Sequence, residues 1–434
     1  MSAATIVALA SGRPPSAIAI IRISGPAAWN VVAGLLQGPL PSPRRLSLRQ
    51  LWTSGGAALL DTAMVVVFPA PATATGEMLA ELHLHGGIAV VEDVLTALTS
   101  HPDVRLANPG EFTRRAFDNR QLDLAQVEGL ADLIAAETSS QRVQALALSG
   151  GALSQLADRW RTKLIAILAE AEAGLDFGED EADVTERIVA TSSVTLQALA
   201  VALDDLLADS GRAARIRDGL TIVVTGAPNV GKSSLVNALS MRAAAIVTAI
   251  PGTTRDLIEV AVNLDGIAAV IIDTAGLRET NDPIEREGIS RARARAAAAD
   301  LVLHVVDSDV AIHENAAAWT IRNKVDLARQ SEPRSSIHQV SALTGTGIAS
   351  LRKSLADWAR ATTRPGEPAL LANARHRAAF RDAAAAVHRA SATSDLVLRS
   401  EDLRSAAYAF GRIAGRVGVD DVFDVIFRQF CIGK

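Results

Sequence analysis

The chain has 434 residues, enough for about three domains. Its net charge of −5 excludes a general nucleic-acid footprint, so any RNA contact is local or shared with a partner; its single cysteine excludes an internal disulfide or a cysteine-cluster metal site. Hydrophobic residues make up 49% but aromatics only 3%, so alanine and aliphatic side chains dominate, which favours helices.

Residues 1–118 mix strand-like runs with turn signals. Thr5–Leu9 and Ala17–Ile23 are apolar, but Gly12, Pro14 and Pro15 break them, which reads as two strands rather than a signal peptide. Met64–Phe68 and Leu79–Leu84 read as further strands, with Gly86-Gly87 and Pro109-Gly110 as breaks. No run is long enough to cross a membrane, and the cytoplasm is the expected location. From Leu122 to Asp176 the pattern is helical and Ala/Leu-rich, with a break at Gly150-Gly151. Phe177–Asp183 is an acidic loop, and helix resumes to about Ala214. A nucleotide-binding module occupies 216–361. A Pro/Gly linker, Thr362–Pro368, leads into a second helical segment taken as 366–434, so the domains expected are 1–118, 119–215, 216–361 and 366–434. The expected fold class is multi-domain: an α/β N-terminal domain and an all-α domain interrupted by a P-loop α/β module. A switch module tethered at both ends passes its motion to its host.

Within the module, the β-branched run Leu220–Thr225 reads as a buried parallel strand. It runs straight into Gly226-Ala-Pro-Asn-Val-Gly-Lys-Ser233, and Ser234–Leu239 continues as a helix. Strand, G-x-x-x-x-G-K-S and helix in that order are the context a phosphate-binding loop requires. Gly226 and Gly231 let the backbone turn its N–H groups, including those of Asn229, Val230, Gly231 and Ser234, toward phosphates at a helix N-terminus. Lys232 reaches the β- and γ-phosphates, and the Ser233 hydroxyl is placed to ligate Mg²⁺. Asp273-Thr274-Ala275-Gly276 ends the apolar strand Ala268–Ile272, where Asp273 holds Mg²⁺ through water and Gly276 offers its N–H to the γ-phosphate. Asn323-Lys324-Val325-Asp326 ends another strand; the Asp326 carboxylate accepts from both N–H groups of a guanine edge, which adenine does not offer. Ser341-Ala342 follows His338–Val340 and supplies an N–H for the guanine oxygen. In this order, the pieces specify GTP.

Gly252-Thr-Thr-Arg-Asp256 lies where a GTPase keeps its first switch, with Thr254 as the second hydroxyl on Mg²⁺. Leu277 follows Gly276, where Ras-like enzymes place the Gln that orients water, so that role falls elsewhere. Arg255 and Arg278 are candidate arginine fingers or plain solvated side chains. Asn229, at the fourth loop position, is either a ligand of a monovalent cation that neutralises charge between the β- and γ-phosphates or an unliganded loop residue.

The chain resembles the bacterial tRNA modification GTPases of the uridine-5-carboxymethylaminomethylation family nearly end to end. The markers are Ile20-Ile-Arg-Ile-Ser-Gly25, Glu81-Leu-His-Leu-His-Gly-Gly87, Asn108-Pro-Gly-Glu-Phe-Thr113, Leu122-Asp-Leu-Ala-Gln126, the GTPase motifs and the terminal Phe430-Cys-Ile-Gly-Lys434. The resemblance implies an N-terminal tetrahydrofolate-binding and dimerisation domain, an interrupted helical domain and a potassium-stimulated, Ras-like GTPase. It implies a homodimer acting with an FAD-dependent partner on C5 of the wobble uridine of certain tRNAs, with a tetrahydrofolate of the 5-formyl or 5,10-methylene type supplying the one-carbon unit. The family's K⁺ ligands fall on Asn229, Thr248, Ile250 and Thr253. Its Mg²⁺ ligands fall on Ser233 and Thr254, and its catalytic acid on Glu285, which the residues alone describe as a solvated helix position. Its folate contacts fall on Arg22, Glu81, position 121 and Lys434. The chain departs from the family at Gln121, where a Lys is usual, with Arg120 beside it as a stand-in. It also departs in Ala72–Met78, which lacks the aromatic before Thr75 and the acid after Glu77. The span from Asp307 to Asn323 is short as well.

Two features invite other chemistry. Cys431 sits in the terminal motif without an evident His–acid pair, so the resemblance does not make it a nucleophile. His83 and His85 alternate along a strand and face one way, but no third ligand accompanies them, which favours a structural role over a metal pair. Two rival functions stand beside the main reading: a regulatory GTPase of ribosome assembly, and a folate-dependent one-carbon transferase in which GTP only regulates assembly.

Overall fold

The computed structural model describes residues 4–176, 182–242, 259–273, 297–307, 318–327, 337–364, 369–415 and 433. They fall into two compact units, one within Met1–Ala131, Ser149–Arg159 and Phe410–Lys434, the other within Asp132–Leu148 and Trp160–Ala409.

The first unit is built on six strands: β1 (Thr5–Leu9), β2 (Ser16–Ser24), β3 (Ser47–Trp52), β4 (Leu59–Phe68), β5 (Leu79–Gly86) and β6 (Val104–Leu106). Their order is β3-β4-β5-β2-β1-β6, antiparallel except for β1 with β6. Side chains alternate across a strand. Ala19, Ile21 and Ile23 of β2, Ala80, Leu82 and Leu84 of β5 and Val65 and Val67 of β4 therefore share one face. Helices α1 (Ala28–Gly34) and α2 (Ile88–Thr99) cover it with Val31, Val32, Val91, Val94 and Leu98. The same alternation puts Arg22, which pairs in register with Glu81, on the opposite face. A short helix α3 (Glu111–Asp118) leads to α4 (Leu124–Ala135). Asp123 and Gln126 start α4 with a reciprocal capping box: Gln126 N donates to Asp123 Oδ1 (2.9 Å) and Asp123 N to Gln126 Oε1 (3.0 Å).

The second unit contains α5 (Ser139–Ser149), most of α6 (Ala152–Asp176), α7 (Ala182–Ala208) and α8 (Ser210–Asp218). Of the acidic loop read at Phe177–Asp183, residues 177–181 lie outside the described residues. The module follows as a second six-stranded sheet of β7 (Leu220–Gly226), β8 (Glu259–Leu264), β9 (Ile267–Asp273), β10 (Leu301–Val306), β11 (Ala318–Arg322) and β12 (Ile337–Gln339), in the order β12-β11-β10-β7-β9-β8. All pairings are parallel except β8 with β9. Helices α9 (Lys232–Arg242) and α10 (Ile348–Thr363) pack on it through Leu235, Val236, Leu239, Leu351 and Leu355. Helices α11 (Ala374–Ala392) and α12 (Leu396–Gly411) then return to the helical part. Alanines 379, 383, 386 and 390 form the buried stripe of α11, their small size letting α7 lie close along it. Arg399 of α12, only 1% exposed, donates to Val189 O and the Ser192 and Ser193 hydroxyls of α7, so its buried charge meets oxygens rather than apolar atoms.

The sequence showed no span long enough for a membrane, yet Arg187–Asp218 (α7 and α8) passes on length and mean hydropathy (1.2). It packs along α11, and at the edge of that contact Asp204 meets His388 Nε2 at 3.0 Å.

Candidate active site: a phosphate loop tied to a base-recognition loop

Strand β7 lies between β10 and β9, where the strand order turns, and its carboxyl end opens into the crevice in which open α/β sheets bind ligands. The loop there tolerates no side chain at its first glycine. Gly226 has φ +143°, and a Cβ on it would sit 2.2 Å from Val305 O. Gly231 has φ +93°, and a Cβ there would meet Asn323 Nδ2 at 2.3 Å. That close approach has a purpose. Asn323, 3% exposed, donates from Nδ2 to Val230 O (2.9 Å) and accepts at Oδ1 from Ala342 N (3.0 Å). One amide thus joins the phosphate loop, the end of β11 and the turn after β12. Sequence reasoning placed Asn323 in the base motif and missed this bridging role; the signal for it was the glycine at 231.

Lys232, 9% exposed, folds its ammonium over the loop and donates to Gly226 O and Ala227 O, each at 2.9 Å. Its third proton can serve a phosphate oxygen. Ser233 Oγ donates to Asp273 Oδ2 at 2.6 Å, so hydroxyl and carboxylate, from opposite sides of the loop, already share one point. Two hard oxygen donors so placed suit Mg²⁺, and Asp273 is only 4% exposed. Asn229 holds φ +65° on the exposed rim, and its carbonyl accepts from Lys324 Nζ at 2.7 Å. Lys324 also pairs with Asp307 at 3.4 Å. Val230 is buried under the loop, and Ser234 continues α9.

Asp326 is exposed, leaving its carboxylate open to a base. Ser341 is fully buried and builds the following turn: its Oγ accepts from Thr344 N (3.1 Å) and its N donates to Thr346 O (2.9 Å). The Ala342 N–H, read from sequence as a guanine donor, is directed at Asn323 Oδ1. Behind these loops His338 stacks on Trp319 at 5.0 Å between ring centroids, and burial pulls its imidazole pKa below the ordinary value. Thr248, Ile250, Thr253, Thr254, Arg255, Thr274, Ala275, Gly276, Leu277, Arg278 and Glu285 lie outside the described residues.

The first unit carries a second cluster. Arg22 Nε and Nη2 both donate to Glu81 Oε1, at 2.9 and 2.8 Å, and His83 Nε2 approaches Glu81 Oε2 at 3.5 Å. His85 Nδ1 instead meets Asp61 Oδ1 at 2.7 Å, so the two histidines have separate carboxylate partners. Gly433, at φ +100°, lies so close to β1 that a Cβ would fall 2.0 Å from Leu9 O. Leu9 pairs with Ile21, next to Arg22, so Gly433 lies near the Arg22–Glu81 strands. Cys431 and Lys434 lie outside the described residues.

Gln121 and the loop Ala72–Met78, the two departures from the family pattern, touch each other: a Cβ on Gly76 would meet Gln121 Nε2 at 3.2 Å and Asn119 Cβ at 2.7 Å. The loop is pinned from below by residues the sequence reading did not single out. Ser24 Oγ lies 2.7 Å from both Thr75 Oγ1 and Glu77 Oε2, and Arg115, 8% exposed, donates to Glu77 Oε2 (2.9 Å) and Ala4 O (2.7 Å). Arg120 lines a hollow of about 770 Å³ with Phe117, Asp118, Asp123 and Gln126, to which Gln121 does not contribute.

A phosphate loop, a hydroxyl–carboxylate pair beside it and an Asn-Lys-Val-Asp strand end, set into a helical host, define a P-loop GTPase. The profile described as GTP-binding protein TrmE N-terminus matches residues 5–121, and that of the MnmE helical domain matches 124–431. The tRNA modification GTPase MnmE of Bradyrhizobium sp. (strain BTAi1) is 47% identical over 442 residues, covering 99% of both chains. That of Methylobacterium sp. (strain 4-46) is 48% identical over 438 residues, also covering 99% of both. Among solved structures, the G domain of the T. maritima FeoB iron transporter aligns with 32% of this chain and 98% of its own, at 24% identity and a TM-score of 0.23, a likeness that carries no weight in the argument. The chain belongs to the MnmE family of tRNA modification GTPases.

Proposed function

We propose that this chain hydrolyses GTP to drive modification of tRNA, and that with an FAD-dependent partner it builds a carboxymethylaminomethyl or aminomethyl group at C5 of the wobble uridine. The observation that carries the GTPase part is the Asn323 amide, which makes the phosphate loop and the base loop one rigid receptor. Water attacks the γ-phosphorus as the bond to the β,γ-bridging oxygen breaks, giving GDP and inorganic phosphate. Lys232 and the loop N–H groups stabilise the charge that develops. Ser233 and Thr254 would hold Mg²⁺, which supplies charge neutralisation at the β- and γ-oxygens. Asn229, Thr248, Ile250 and Thr253 would hold K⁺, and the exposed position of Asn229 on the loop rim suits that role. Glu285 orients the attacking water, the role that Leu277 does not fill. Thr274, Ala275 and Gly276 complete the γ-phosphate contacts.

In the same reading the first unit binds a tetrahydrofolate at Arg22, Glu81, Gln121 and Lys434. The support is the Arg22–Glu81 pair on the sheet face away from the helices, with Gly433 beside it. The protein works as a cytoplasmic homodimer, divided into the four segments named above.

The test is nucleoside mass spectrometry on tRNA from cells lacking this chain. Loss of the modified wobble uridine, restored by the wild type but not by Glu285→Ala, is the expected result. Full restoration by Glu285→Ala in a protein that still binds GTP would sink the assigned role of hydrolysis.

A further inference from the structure

Strands β8 and β9 form a hairpin whose two ends lead in sequence to the segments that read the nucleotide. Glu259 opens β8 five residues after Thr254, and Asp273 closes β9 three residues before Gly276. The strands pair without a break from Glu259↔Ile272 to Leu264↔Ile267, so the hairpin is a stiff arm roughly 20 Å long.

Hairpin tips normally end in solvent; this one is held. Gly266, at φ +90°, gives its carbonyl to Ser140 N (3.0 Å) and Ser139 Oγ (3.3 Å), while its own N–H is fixed by Asn263 Oδ1 (2.6 Å). Ser139 and Ser140 belong to the first turn of α5, in the helical part of the same compact unit. The N–H groups of a first helical turn have no intrahelical acceptor, so the tip carbonyl is the partner that Ser140 needs. Thr138 and Gln141 make a capping box there: Thr138 N donates to Gln141 Oε1 at 3.1 Å and Gln141 N to Thr138 Oγ1 at 3.4 Å. The Gln141 side chain has a second task. Its Nε2 donates to Arg217 O (2.9 Å), three residues before the central strand β7, and Arg217 itself pairs with Asp132 (3.0 Å). Adjacent residues of one helix start are thus tied to two places in the module. Gln141 grips the root of β7, whose other end is the phosphate loop; Ser140 grips the tip of the hairpin that joins the two switch segments.

We infer that the Gly266 tip is the contact through which nucleotide state reaches the helical part, with Ser139 and Ser140 as the receiving, positioning residues. The inference rests on the reading of 252–256 and 273–276 as nucleotide-sensing segments. The β7–β9 ladder runs from Leu220↔Ala269 to Val224↔Asp273, so the part of the hairpin that moves is the overhang beyond it, 264–268; its tilt changes the Ser140–Gly266 bond and leaves the Gln141–Arg217 bond in place, which shears the start of α5. Two discrete arrangements of one packed contact are what coupling between distant sites requires.

The test uses the full-length protein and two readouts. Amide hydrogen exchange is followed over Thr138–Val143 without nucleotide, with GDP, and with GDP and aluminium fluoride in Mg²⁺ and K⁺. The wild type is expected to change protection there between the last two states. Ser140→Pro removes the one donor at a first-turn position where proline is tolerated. It should keep GTP turnover within about twofold yet lower tRNA modification in complemented cells by about fivefold or more, the lower end of measured site-to-site couplings. A second variant guards against a folding defect. Ser139→Ala deletes only the hydroxyl that donates to Gly266 O and leaves the Ser140 N–H in place, so it should keep wild-type thermal stability and lower modification by less than Ser140→Pro does. Exchange at 138–143 that ignores nucleotide in the wild type overturns the inference. So does full modification by Ser140→Pro, or a nucleotide-dependent change in exchange at 138–143 that Ser140→Pro leaves intact. Failure of the wild type itself to restore tRNA modification would instead count against the proposed function, and the exchange readout on purified protein keeps the two failures apart.

Discussion

At the nucleotide site the backbone sets the shape: Gly226 and Gly231 turn the loop, and Lys232 and Asn323 lock onto the carbonyls of Gly226, Ala227 and Val230. In the N-terminal unit the backbone is an ordinary twisted sheet. The Arg22–Glu81 site is made of side chains that neutralise each other, supported by a second layer of side chains around Arg115. A backbone-built site admits no change at a few glycines and many changes elsewhere. A side-chain-built site has no such forbidden position, but it spreads its sensitivity over residues remote in sequence.

The sharpest way to break this contrast is Gly226→Ala. Its Cβ would meet a backbone carbonyl that cannot rotate away, and φ +143° is strained for any L side chain. A cost of about 3 kcal/mol falls on the loop, hence a loss of GTP affinity of roughly 100-fold or more. Titration with a fluorescent GTP analogue reads it, and Gly12→Ala, with nothing within 4 Å of the new Cβ, should leave binding unchanged. Next in size is Arg115→Met. It strips Glu77 of its guanidinium partner (2.9 Å) and takes one of Glu111's two (3.2 Å), Arg105 remaining, and breaking such a buried pair costs roughly 3 kcal/mol. Calorimetry should show an earlier unfolding transition with GTP affinity intact; loss of GTP binding would mean that the two regions are not separately built. Smaller again is Gln121→Lys, which puts a cation against the 72–78 loop. It should tighten tetrahydrofolate binding by about tenfold, the lower end of what one charged hydrogen bond contributes, as read by fluorescence quenching. An unchanged affinity would remove position 121 from the folate site.

The same contrast explains what the sequence disclosed. The loop 226–233, Asp273, Asn323–Asp326 and Ser341-Ala342 were legible because each element is a short contiguous run at the end of an apolar strand, and the structure brings the described members together. The interrupted helical part was legible from its alanine-rich periodicity. The bond from Asn323 to Val230 and the Ser24–Glu77–Arg115 network were not, because they join residues 93 and 38 or more positions apart and no local pattern announces a side chain's distant partner.

The smallest effect separates the two regions by pH. His338, half-buried against Trp319 near the base loop, has its pKa lowered by burial. The unfolded chain therefore binds the extra proton first, so the stability tied to this residue is present above the ordinary histidine value of about 6.5 and is lost as pH falls below it, toward the depressed folded value. Glu111 behaves differently. Burial alone would raise its carboxyl, but the Arg105 hydrogen bond, the Asn108 N–H and the charges of Arg105 and Arg115 together hold it below the ordinary value. Its contribution is present above the usual carboxylate range and is lost only as pH falls through the depressed folded value. Urea unfolding followed by tryptophan fluorescence at pH 7.5, 5.5 and 3.5 tests both. His338→Phe should flatten the change between the first two values, and Glu111→Gln should flatten the change between the last two. A His338→Phe protein with an undiminished slope from pH 7.5 to 5.5 would place the acid sensitivity of the module in some other group.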